Sequence, residues 1–133
     1  LTRLVFGGKN RSYEAPAEFK KYWQTSYRLE GLQATRVLIN ETMTEGTFKK
    51  ITQPVFIGCY YKDEEHQDMI VSVKAMRKMY SVLGTADTEK QFVAFPDVDA
   101  HVITNPLRSK NVESVMIETF EFAENVLGLK LQD

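Results

Sequence analysis

The chain has 133 residues, enough for one core, with 43% apolar and 26% charged residues and a formal net charge of −1. These values match a soluble globular protein, and no apolar run approaches the roughly 20 residues that cross a bilayer. Basic pairs such as Lys20-Lys21 and Lys49-Lys50 are too short to build a phosphate-neutralising stripe, so neither a membrane nor nucleic acid is an expected partner.

Cys59 is the one cysteine, so no internal disulfide can form. That agrees with a reducing, cytoplasmic compartment, and equally with a secreted or periplasmic enzyme that has no disulfides. The chain begins with Leu1 rather than Met, and the expectation is a processed, trimmed or excised product.

Leu1 to Phe6 is apolar enough for a strand or a helix end and is left open. Pro16 to about Tyr27, Leu29 to about Asn40 and Thr44 to Lys50 each read as helical, broken by Gly31, Gly46 and polar turns. Phe19, Tyr22, Trp23 and Tyr27 fall at helical spacing and are expected to share one buried face. Residues 1–50 are therefore expected to form a helical, cap-like segment that packs on residues 51–133 or lines a pocket.

From Gln53 the pattern changes to alternating strand and helix. Pro54 to Tyr61 is a near-continuous apolar run, the composition of a strand covered on both faces. Met69, Val73, Met76, Tyr80 and Leu83 recur at intervals of three and four and predict a helix stopped by Gly84. Gln91 to Phe95 predicts a second strand closed by Pro96. Val112, Val115, Met116, Thr119, Ala123, Val126 and Leu127 predict a final amphipathic helix, with Asn111 as N-cap and Gly128 as the stop. The methionines at 69, 76, 79 and 116 are expected in the core. Residues 51–133 thus read as an α/β layer of two or three parallel strands with flanking helices.

In open parallel sheets, the loops leaving the strand C-termini build the sites. Asp63 is the first acid after the first strand, and His101 comes after the second. If the strands are parallel neighbours, the carboxylate and the imidazole meet on one edge. The segment Pro54-Val55-Phe56-Ile57-Gly58-Cys59-Tyr60-Tyr61-Lys62-Asp63 resembles the strand-plus-acid motif of α/β-hydrolases, and Phe95-Pro96 to His101 resembles their histidine loop.

The resemblance covers about Gln53 to Leu129, with the preceding helices similar to a cap. It implies the C-terminal part of a serine hydrolase fold, with Asp63 (or Asp68) as the acid of the triad and His101 as the general base, in an enzyme acting on an ester or other small acyl substrate. Two positions depart from the family pattern. Tyr60 stands where a glycine often precedes the acid, and Ala100, with Asp99 behind it, where a glycine usually precedes the histidine.

None of the six serines, Ser12, Ser26, Ser72, Ser81, Ser109 and Ser114, lies in a G-x-S-x-G elbow. The family order places the nucleophile ahead of Leu1. The chain alone is accordingly expected to be inactive, since nucleophile and oxyanion donors lie elsewhere.

No cofactor is implied, and His66 and His101 have no zinc spacing, so no metal is expected. Cys59, inside the apolar strand, reads as a small buried hydrophobe. The alternative from another class is a non-enzymatic α/β interaction or regulatory module. In either case exposed strand edges predict a homodimer or association with a missing N-terminal part.

Overall fold

The computed structural model describes residues 7–130. The segment 1–6, left open between strand and helix end, lies outside the described residues. The chain divides into two compact units, Leu1–Thr44 and Glu45–Asp133.

In the first unit, β1 (Asn10–Ser12) pairs antiparallel with β2 (Ser26–Arg28), and the connection carries the single-turn helix α1 (Ala17–Lys20). The helix expected over Pro16 to Tyr27 is therefore corrected to one turn and then a strand. Phe19 and Trp23 do stack, with ring centroids 5.7 Å apart. Tyr27 leaves that face because its backbone pairs with Arg11, and its ring stacks on Tyr13 at 6.3 Å, a diagonal contact across the ladder. Trp23 and Tyr22 are exposed rather than buried. The helix expected from Leu29 is present as α2 (Leu29–Thr42).

The second unit opens with the short helix α3 (Glu45–Phe48) and continues with β3 (Val55–Tyr60), α4 (Val73–Val82), a 3-10 turn at Asp87–Glu89, β4 (Lys90–Phe95) and α5 (Val112–Asn125). The strands β3 and β4 are parallel, with Val55 opposite Lys90 and Tyr60 opposite Phe95. Side chains alternate across a pleated strand. Phe56, Tyr60, Val93 and Phe95 therefore share the face on which α5 packs, through Val115 and a tilted Phe56–Phe122 pair at 5.5 Å. The opposite face carries Phe92, which meets Tyr80 of α4 edge-on at 5.7 Å. The core is Tyr60, Phe95, Val98 and Val115, and Val98 is fully buried.

Loop geometry ties these elements together. Gly84 is required for close approach: a Cβ there would sit 2.2 Å from the Lys49 carbonyl oxygen, and the Gly84 N–H donates to the Phe48 carbonyl at 3.2 Å. Beside it, the buried Thr85 hydroxyl donates to the carbonyls of Ile51 and Gln53. Asn111 caps α5 by accepting the Ser114 N–H at 3.0 Å. Gly128, at φ +66, lets the Leu129 N–H reach back to the Ala123 carbonyl.

Helix α4 starts four residues later than the apolar spacing predicts. Asp68 and Ser72 both hold backbone N–H groups ahead of it, Ser72 acting as the N-cap for Ala75. Met69 is left 83% exposed, a correction to its expected place in the core. Met116 of α5 is likewise half-exposed.

Candidate functional site

Because β3 and β4 are parallel, the loops after Tyr60 and after Phe95 leave the same edge of the sheet. The first of them turns back at once. Lys62 and Asp63 donate their N–H groups to the His66 carbonyl, and Tyr61 bridges to Gln67. Asp63 is the residue that closes this turn: its Oδ1 accepts the N–H groups of Glu65 and His66 at 3.0 and 2.8 Å and meets His66 Nδ1 at 2.7 Å. The hydrogen bond from the His66 ring holds its carboxyl below the ordinary value.

The turn returns the chain to the strand end, where the Asp68 N–H donates to the Tyr60 carbonyl at 3.0 Å. Asp68 is thus placed against the last residue of β3, with its side chain only 4% exposed. Its Oδ1 accepts the N–H groups of Ile70 and Val71 at 2.8 and 2.9 Å, and its Oδ2 lies 2.6 Å from His101 Nδ1. Burial by itself would raise the carboxyl's pKa. The hydrogen bonds from His101, Val71 and Ile70 outweigh that penalty and leave it below the ordinary value.

The pairing expected of Asp63 with His101 is therefore corrected: Asp63 meets His66, and Asp68 meets His101. The reason is local. An aspartate three residues before a histidine, on a short turn, accepts the backbone N–H groups and meets the imidazole of its own loop, while the turn returns Asp68 to the strand end beside His101.

His101 is placed by the loop after β4. Val98 anchors that loop in the core, and Asp99 takes a positive φ of 47°. Aspartate tolerates this region better than most side chains. Asp99, not Ala100, so makes the turn that a glycine would otherwise make. The imidazole is 41% exposed. An ionised carboxylate only accepts hydrogen bonds, so Nδ1 carries the proton toward Asp68 and Nε2 is the nitrogen left for proton transfer.

Among the described residues no serine hydroxyl is hydrogen-bonded to His101, whose side-chain partner is Asp68. Ser12 bonds Ser26, Ser72 caps α4, Ser81 donates to the Lys78 carbonyl, Ser109 accepts from the Asn111 N–H, and Ser114 donates to the Asn111 carbonyl. Cys59 is buried in β3, where burial pushes its thiol up, the opposite of activation. Among the described residues no group of three or more His, Cys, Asp or Glu is gathered to hold a metal, and no helix is long and apolar enough to cross a membrane.

Comparison of the chain with family models, curated proteins and solved structures returns no match.

Proposed function

We propose that this chain supplies the acid and the histidine of a serine-hydrolase triad in an α/β-hydrolase-like protein, with Asp68 as the acid and His101 as the general base. The observation that carries this reading is the 2.6 Å contact between Asp68 Oδ2 and His101 Nδ1, made by loops leaving the C-terminal ends of two parallel strands.

The chemistry derives from that geometry. The buried Asp68 fixes the tautomer in which Nδ1 is protonated and stabilises the imidazolium that forms when Nε2 takes a proton from a nucleophile's hydroxyl. The same Nε2 proton then passes to the leaving group as the acyl-enzyme forms. The nucleophile and oxyanion donors come from outside these 133 residues, in agreement with the family order of nucleophile, acid, histidine. The substrate class is an ester or related acyl compound.

The test is to express the protein together with whatever sequence is encoded ahead of Leu1 and assay hydrolysis of a short-chain activated ester. Activity that depends on an upstream serine and on His101 is expected. Asp68→Asn should lower kcat by roughly 10,000-fold, the loss that accompanies conversion of a triad acid to its amide, while Asp63→Asn should leave it within a few-fold. Full activity in the Asp68→Asn enzyme would sink the assignment. The 133 residues alone should show no turnover above background, and hydrolysis by them that disappears in His101→Ala would contradict this.

A second reading, an interaction module, draws on α5, which leaves Met116, Ile117 and Phe120 each half-exposed along one helix. A start codon at Leu1 with nothing encoded before it would favour the module.

A further inference from the structure

The loop from Val98 to Lys110 has its ends brought together by one residue. The Lys110 N–H donates to the Val98 carbonyl at 2.9 Å, and the Lys110 ammonium pairs with the carboxylate of Asp99. One end is fixed in the core, because Val98 is fully buried. The interior of the loop is held by its own hydrogen bonds, from Ile103 to the His101 carbonyl, from Asn105 to Val102, and from Arg108 and Ser109 to Asn105. His101 lies on this loop two residues after Asp99, whose left-handed backbone aims the chain toward Asp68.

An exposed ion pair ordinarily contributes little to global stability, and Lys110 and Asp99 are both substantially exposed. Their effect here is local. Asp99 sits in a backbone region that costs energy for any residue but glycine, and the Lys110 ammonium holds its carboxylate from outside the turn. Hydrogen bonds from Lys110 first and then from Tyr60 hold the Asp99 carboxyl below its ordinary value, and the carboxylate in turn raises the lysine's own pKa. Closing the loop at the lysine's main chain and side chain together limits the positions open to His101.

We propose that Lys110, through Asp99, is a positioning residue that holds the His101 imidazole against Asp68. Its catalytic meaning rests on the triad reading above, but the hydrogen bond it controls exists in the chain as it stands and is measured without any activity.

The measurement is proton and nitrogen NMR of the histidine rings in the full chain, with the His101 signals assigned by their loss in His101→Gln. The wild type should show a downfield Nδ1 proton and the nitrogen pattern of a ring protonated at Nδ1. In Lys110→Met and in Asp99→Asn, which keeps a side chain tolerant of the positive φ, that proton should broaden beyond detection and the nitrogens should move toward the average of a free ring. Lys110→Arg should restore the wild-type signals. Urea midpoints within experimental error of the wild type for Asp99→Asn would show that the change is local; a global loss of structure in that variant overturns the positioning role. A sharp, unshifted Nδ1 proton in either Lys110→Met or Asp99→Asn also overturns it while leaving the triad reading intact. Absence of the signal in the wild type would overturn both. A normal signal in a protein with no upstream nucleophile would end the triad reading alone.

Discussion

Asp68 and Asp63 are the same side chain five residues apart, and their surroundings separate their roles. Asp63 is half-exposed and closes its own turn; Asp68 is buried and bridges two loops. Burying a carboxylate is costly unless every oxygen finds a donor, and Asp68 has three. Hydrogen bonds to a charged group contribute roughly 1.5–3 kcal/mol, so Asp68→Asn should lower stability by about that amount at neutral pH, whereas Asp63→Asn should have a small effect.

The pH dependence is set by the direction of the shift. The folded Asp68 carboxyl titrates below its ordinary value of 3.8, so the unfolded state takes up its proton first as acid is added. The stabilisation is fully present above the unfolded value and is lost as pH falls through the folded one. Urea titrations from pH 7 downward should show a stability gap between wild type and Asp68→Asn that is constant to about pH 5 and closes below the ordinary aspartate value. A gap that persists unchanged at pH 2 would contradict the ionised, hydrogen-bonded state assigned to Asp68.

The sequence offers His101 and both acids as candidates, because each comes after a strand of the right composition. Choosing between them depends on a turn of five residues. One signal was present, the Asp-x-x-His spacing of Asp63 and His66, which favours a locally satisfied carboxylate. The roles of Asp99 and Lys110 left no pattern to read, since they depend on a positive φ and on a contact eleven residues apart.

Among the secondary-structure elements, those with strong periodicity and a clear stop were the legible ones. Helix α5 begins at its predicted cap and ends at Asn125, three residues before its predicted glycine, and β4 ends before its proline. Asn111→Ala should cost about 1 kcal/mol, read as a drop in urea midpoint. Gly84 was expected to stop α4, but its closer constraint is the Lys49 carbonyl. A methyl group at 2.2 Å from backbone cannot be relieved by a rotamer change. Gly84→Ala should therefore destabilise by at least the roughly 1–3 kcal/mol typical of overpacking, and an unchanged midpoint would mean that the Phe48–Ile51 segment does not pack there.

Where the sequence misled was the aromatic run from Phe19 to Tyr27. Helical spacing and a short hairpin place aromatic rings in contact equally well, and only the pairing of Tyr27 with Arg11 decides between them. Met69 misled for a related reason, as its spacing fits α4 while the hydrogen bonds to Asp68 keep its backbone out of the helix.

For the molecule as a whole, two strands are few for a parallel sheet, which ordinarily has both faces and its neighbours covered. The side chains of β3 and β4 are mostly only partly buried, and Met69, Ile70 and Val71, next to Asp68, are exposed. Self-association of the chain at high concentration is therefore the expected outcome. Light scattering over a concentration series should show species larger than 15.3 kDa, and a monomer throughout would contradict this. The α/β class and the parallel pair were legible in the alternation of strand and helix signals. The hairpin of the first unit was not, because strands as short as Asn10–Ser12 and Ser26–Arg28 cannot show a period.

The Nδ1 proton of His101, compared in wild type, Asp68→Asn and Asp63→Asn, reports directly which carboxylate holds the imidazole. A downfield resonance is expected in the wild type, lost in Asp68→Asn and retained in Asp63→Asn. A resonance that survives in Asp68→Asn and disappears in Asp63→Asn would show that the other carboxylate holds the imidazole.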